Sequence, residues 1–243
     1  MSEAVVFVVT SGLDIGSPIV AGLAARGARV AWLTDTDGPP VVEPGAAVLR
    51  LAAGMGSRAA LESAFAAAAE RLGTPTQVVI SALPFAALQA KDIGDVGDAE
   101  WHGACRAAMK SVLYGLQASY TQMAAQGGSI VVVGPSLSLA GAPQLVALST
   151  AVEGQRGLVK SSARQWGQRG LTVNWIAAAP RGLSPVFAKL PLPVKPDAVM
   201  VALGRPLDTQ REIVPMIEFL GSPGGRAMTG ATLMLDGGEW MVP

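Results

Sequence analysis

Residues 8–19 read VVTSGLDIGSPI. An unbroken apolar run leads into a turn that carries Gly12 and Gly16, and an apolar segment of helical period follows. Strand, glycine turn and helix in that order open a doubly wound α/β sheet. The rest of the chain repeats the theme. Apolar runs recur at 4–9 (AVVFVV), 28–33 (ARVAWL), 46–51 (AAVLRL), 76–82 (TQVVISA), 129–134 (SIVVVG), 171–177 (LTVNWIA) and 231–235 (ATLML). Several are continuous rather than alternating, as strands covered on both faces are. Helical patterns separate most of them, at 17–27, 57–73, 100–126, 148–169 and 209–221.

The alternation predicts one domain over residues 1–243: a single doubly wound, Rossmann-type α/β domain. Its sheet is expected to be seven-stranded and mainly parallel, with helices on both faces. The Pro-rich run PRGLSPVFAKLPLPVKP (180–196) follows the sixth strand, at the end where ligands enter open sheets. Residues 180–208 therefore read as a lid or rim segment, and 236–243 as a C-terminal tail.

Composition narrows the function classes. Half of the 243 residues are apolar and 15% are charged, so a large core can form and disorder is disfavoured. Lys+Arg and Asp+Glu both number 18 and no basic block occurs, which argues against a nucleic-acid partner. A neutral, Ala-rich surface favours self-association. Cys105 and His102 are the only residues of their types, so no internal disulfide and no Cys/His metal cluster can form. The expectation is metal: none. The first apolar run is too short for a membrane span or a signal peptide, and the chain reads as cytoplasmic with no membrane partner.

The glycine turn poses its own question. A helix N-terminus after such a turn attracts a dinucleotide pyrophosphate through its free N–H groups and dipole. Asp14 stands in that turn. Two like charges about 4 Å apart repel by roughly 1 kcal/mol in water and several-fold more in a half-buried cleft. Asp14 is expected instead to cap the helix itself.

Longer stretches carry a family resemblance. EFLGSPGGRAMTGATLMLDGGEW (218–240), GGSIVVVG (127–134), GLTVNWIA (170–177) and EWHGACRAAMKSVLYGLQA (100–118) resemble, in order, segments of the short-chain dehydrogenase/reductase family. The resemblance covers essentially the whole chain. It implies a serine after strand five and a Tyr-x-x-x-Lys pair on the next helix, the tyrosine acting as general acid/base. A gapless placement puts Pro135 at the serine, Leu148 at the tyrosine, Val152 at the lysine and Ala108 at a structural asparagine. Ser136, Ser138 and Ser149 lie near enough to substitute for one hydroxyl, but no tyrosine lies between Tyr120 and the C-terminus.

Cofactor positions are altered as well. The first two glycines of the family turn fall at Thr10 and Asp14, Gly12 is out of phase, and Gly16 is retained. Thr34 takes the place of the acid that ends strand two, with Asp35 adjacent. Ile80 and Leu83 replace residues that line the cleft and are expected to narrow it; Ala178 and Ala179 replace the Pro-Gly that frames the nicotinamide.

Carried through, the resemblance implies a chain that is not an enzyme on its own. It would bind no cofactor itself and would assemble, as a heterotetramer, with an active short-chain dehydrogenase/reductase paralogue that binds NAD(P). Mixed dehydrogenases of this kind place the partner's substrate among the CoA thioesters of aromatic (toluene) breakdown. Interface candidates are the small residues Ala104, Ser111, Gly115, Ala151 and Gly154, the knobs Leu158 and Trp166, and Trp240 and Met241 in the tail. Two other readings remain open: an atypical NAD(P)-dependent oxidoreductase without the Ser-Tyr-Lys triad, and a stand-alone small-molecule sensor.

Overall fold

The computed structural model describes residues 4–12, 15–36, 47–189 and 201–241. Its strands are β1 (Val5–Ser11), β2 (Arg29–Thr34), β3 (Val48–Ala52), β4 (Gln77–Ala82), β5 (Gly128–Pro135), β6 (Leu171–Ala178) and β7 (Thr232–Leu235). They form one seven-stranded sheet in the order β3-β2-β1-β4-β5-β6-β7. Every neighbouring pair is parallel. Burial explains the continuous apolar runs: every residue of β1 and β4 is buried, so neither face of the central strands meets water.

The helices are α1 (Gly16–Ala25), α2 (Arg58–Leu72), α3 (Asp98–Trp101), α4 (Ala107–Met123), α5 (Leu137–Ala140), α6 (Val146–Trp166), α7 (Pro180–Leu183) and α8 (Val214–Gly221). On one face α4 packs between α2 and α6; α1 and α8 pack against each other, with Gly22 of α1 seated on Val214. Phe7 of β1 meets Phe65 of α2 edge to face at 5.5 Å. The sequence pattern predicts one continuous helix over 100–126. The chain instead forms α3, a π-helical turn over His102–Arg106, and α4. Such a turn inserts an extra residue and rotates what precedes it, a feature that clusters at functional sites.

Strand order reverses between β1 and β4, so the crevice at their C-terminal ends is the topological switch point. Among the described residues no helix is long and apolar enough to cross a membrane.

Candidate functional site

β1 delivers Ser11 and Gly12 to this crevice. Gly12 has φ +65°, a left-handed conformation that suits glycine, and its N–H donates to Asp35 Oδ1 at 3.2 Å. Thr10, one residue earlier, is buried and accepts a hydrogen bond from Trp32 Nε1 at 2.8 Å. The start of α1 rests on that bond. A Cβ at Gly16 would lie 2.6 Å from Thr10 Oγ1, so the helix end approaches the sheet only because residue 16 is glycine.

The residues on either side of Asp35 are held as well. Thr34 Oγ1 accepts from the Thr36 amide and lies 2.9 Å from Thr36 Oγ1. Arg50 of β3 lies over the Trp32 ring at 5.7 Å and donates to the Thr36 carbonyl. The exposed Asp35 carboxylate is thus fixed beside the glycine turn, with acceptor sites left over for a pair of vicinal hydroxyls. Its sequence context alone says little, because an acid just past a strand is usually only solvated. Its signal was its place one residue after β2. Asp14, expected to cap α1, lies outside the described residues.

Ile80 and Leu83 do not narrow the crevice as the sequence implied. Ile80 points from β4 into α4, where a Cβ on Gly115 would come 3.1 Å from Ile80 Cδ1. Leu83 is buried in the main core, and its carbonyl packs against Gly12. The physical reason is strand alternation: Ile80 falls on the helix-covered face. Ala178 closes β6, and both it and Ala179 are buried. The buried Ser11 hydroxyl at the switch point has no hydrogen-bond partner among the described residues.

The positions of the family's acid/base pair are closed. Leu148 and Val152, one turn apart on α6, are both 0% exposed, and Pro135 is buried at the end of β5. Ala108 packs with Ala151 and Cys105 in a small apolar cluster beside Trp101 and Met109. Burial pushes the Cys105 thiol up, which keeps it protonated and unreactive. A buried amide occupies the adjoining turn of α6. Gln155 Nε2 donates to the Ala82 carbonyl at the end of β4 and to the Ala108 carbonyl of α4, each at 3.0 Å. It ties together three elements beside the crevice, and the sequence reading missed it because a lone glutamine carries no motif. The Ser138 and Ser149 hydroxyls flank this region, buried and without partners among the described residues.

The interface candidates divide. Ala104, Ser111, Gly115 and Ala151 are buried within the subunit, and a Cβ on Gly154 would collide with Met109. Their small size serves packing between α4, α6 and the sheet. Leu158 packs partly buried against the core, and Trp166 stacks on Tyr120 at 4.9 Å. Trp240 and Met241 are exposed, and Leu203 and Met241 both lie beside the Gly237–Gly238 turn. The buried Asp236 carboxylate shapes that turn by accepting from the Gly238 and Trp240 amides at 3.0 and 2.9 Å.

A cavity of about 440 Å³ opens between α7, residues 201–207 and this turn, at the C-terminal ends of β6 and β7. Ala179, Val201 and Leu207 give it apolar walls; Arg181, Arg205 and Glu239 reach it from the rim. Arg205 pairs with Glu212, whereas Arg181 has no hydrogen-bond or ion-pair partner among the described residues. Burial holds the Glu239 carboxyl above the usual range, the Asp236 charge adds to this, and Arg181 opposes it. Among the described residues no three His, Cys, Asp or Glu side chains cluster as metal ligands.

With this geometry in hand, comparison with known proteins is informative. A family model described as enoyl-(acyl carrier protein) reductase matches residues 10–239. Trans-4-hydroxycyclohexanecarboxylate dehydrogenase of Sinomonas cyclohexanicum is 32% identical over 179 residues, 73% of this chain; the match spans 65% of that relative, less than two thirds of its length. A 3-ketoacyl-(acyl-carrier-protein) reductase from Brucella melitensis, solved with NADH, superposes with a TM-score of 0.84 at 20% identity, covering 98% of both chains. A short-chain oxidoreductase of Pseudomonas aeruginosa, described as containing an atypical catalytic centre, gives 0.79 at 23% identity over 97% of this chain and 96% of its own. These two structures show the fold.

The family match and the 32% identical dehydrogenase overturn the expectation that the chain is no enzyme by itself. The error lay in equating one proton-handling pair with the whole activity. General acid/base groups typically contribute about 10²–10⁴-fold, on top of what positioning of the reactants supplies.

Proposed function

This chain belongs to the short-chain dehydrogenase/reductase family, and we propose that it is an NAD(H)-dependent oxidoreductase interconverting an alcohol and a carbonyl without the tyrosine–lysine pair. The observation that carries this reading is the Asp35 carboxylate fixed over the Gly12 amide at the switch point. An acid there accepts the ribose hydroxyls of a dinucleotide and repels a 2′-phosphate, which favours NAD(H) over NADP(H). The site passes a further test of fit: Ile80 and Leu83 are withdrawn into the core, and the buried Ser11 hydroxyl at the crevice has no partner among the described residues. When bound, the nicotinamide supplies the hydride.

The chain's own residues do the rest. Asp35 and the glycine turn hold the adenosine end. Leu148, Val152 and Pro135 exclude water from the wall beside the crevice.

The proposal extends to assembly. The exposed Trp240 and Met241, beside Leu203, favour packing against a second chain, and a short-chain dehydrogenase/reductase paralogue in a heterotetramer is the proposed partner. The relative's substrate is a hydroxy acid, so alicyclic hydroxy acids are tested beside CoA thioesters.

Calorimetric titration with NADH and NADPH decides the cofactor. NADH binding in the micromolar range, weakened about 10–100-fold by Asp35→Ala, is expected if the carboxylate makes charge-assisted bonds of about 1.5–3 kcal/mol. Absence of NADH binding at millimolar concentration refutes the reading. An equal loss of NADPH affinity removes Asp35 as the selector.

A further inference from the structure

The cavity beside the tail combines an apolar interior with unlike charges at its rim. Its size, about 440 Å³, lies within the range that holds a small organic ligand. Each polar group at the rim has a distinct status. The Arg205 guanidinium is spent on Glu212 through bonds of 2.6 and 2.9 Å. Asp236 is buried, with both oxygens turned to backbone amides. Glu239 is half-buried and its side chain makes no hydrogen bond among the described residues, while Arg181 is exposed and uncommitted. Among the described residues, Arg181 and Glu239 are the cation and the carboxyl left without a partner beside this apolar space.

We propose that this cavity is a subsite for a small cyclic acid bearing a hydroxyl: Arg181 takes the carboxylate, Glu239 accepts from the hydroxyl, and Val201 and Leu207 enclose the ring. It deepens the oxidoreductase reading and rests on it for calling the ligand a substrate. Binding of the acid itself needs no nucleotide. A guanidinium is suited to the anion because it presents two parallel N–H donors to a carboxylate. Glu239 suits the neutral oxygen. Burial and the Asp236 charge raise its pKa while Arg181 lowers it, and its oxygens are placed to accept from a hydroxyl. Among the described residues, the charges at the space are Arg181 on α7, the Arg205–Glu212 pair, and Asp236 and Glu239 on the tail turn.

The test uses the intact protein without nucleotide. Cyclohexanecarboxylate, its neutral carboxamide and cyclohexylamine are titrated at pH 7 by ligand-observed NMR, with NADH titrated separately. The carboxylate is expected to bind at least tenfold tighter than the carboxamide. Arg181→Gln erases that preference and Arg181→Lys restores part of it. Because Arg181 is exposed, these variants are expected to melt like the parent chain, and a melting curve checks this. Equal binding of carboxylate and carboxamide, tighter binding of the amine, or a preference that survives Arg181→Gln overturns the subsite. Acid binding with this preference but no NADH binding leaves the subsite standing and sinks the oxidoreductase reading; the reverse result does the opposite.

Discussion

Replacing Gln155 by methionine isolates the contribution of the buried amide that bridges β4, α4 and α6. Methionine preserves most of the side-chain volume, so the change removes two hydrogen bonds with little cavity. Both bonds are 3.0 Å long and the residue is 1% exposed, so water cannot replace the lost donor. An unsatisfied buried carbonyl costs about 1–3 kcal/mol. Ala108 lies inside α4, where its carbonyl keeps a helical partner, and it belongs at the low end of that range. Ala82 ends β4, where pairing with β5 has stopped at Ile80 although pairing with β1 runs on to Ser11, and its loss falls near the middle of that range. Relief from burying the amide offsets part of the sum, which leaves a net cost of about 2 kcal/mol. For a domain of this size that lowers the melting temperature by roughly 4–8 °C. Differential scanning calorimetry of the parent and the Gln155→Met variant reads this directly. A shift below 1 °C would show that the bridge contributes nothing and that α6 is held by apolar packing alone.

Two further predictions follow from the same geometry. Val152→Lys places an ammonium at a fully buried position and should cost about 4 kcal/mol or more at neutral pH; urea unfolding measures it, and an unchanged midpoint means that the position opens to the crevice. The Glu212 carboxyl is drawn down to about 2 by hydrogen bonds from Arg205 and then from the Asp208 amide. A depressed carboxyl stabilises the fold above its unfolded value near 4.3, and the gain is lost as pH falls through about 2. The pair lies at the surface, so solvent screening keeps the effect small. Melting curves from pH 5 down to pH 2 should fall more steeply for the parent than for Glu212→Gln, and parallel curves would show that the Arg205–Glu212 pair adds nothing to stability.

The parent fold was legible because its signals are local. Each of the seven apolar runs became a strand within a residue or two of its expected ends; in central strands such as β1 and β4 continuous burial leaves a continuous mark on the sequence, while the edge strands β3 and β7 are only half-buried. The break at His102–Arg106 was not legible. Its cause is a rotation of the turn before α4, and small residues such as Gly103 permit it without announcing it.

The candidate site was read less completely, for reasons of direction rather than composition. Ile80 was expected in the crevice and faces α4. Gly115 and Gly154, expected at a neighbour, are in contact with Ile80 and Met109. Asp35 gained weight only when the turn at Thr34–Thr36 and the Gly12 amide were seen to hold it.

By itself the sequence determined the parallel α/β sheet, the single histidine and cysteine, and the apolar residues at the tyrosine and lysine positions, because these depend on residue type and local period. Only the tertiary structure decided that those positions are sealed, that Gln155 bridges three elements, and that Arg181 and Glu239 face one cavity. These contacts join residues up to about sixty or seventy apart, and the side chains meet through strand alternation and helix packing that no local pattern records.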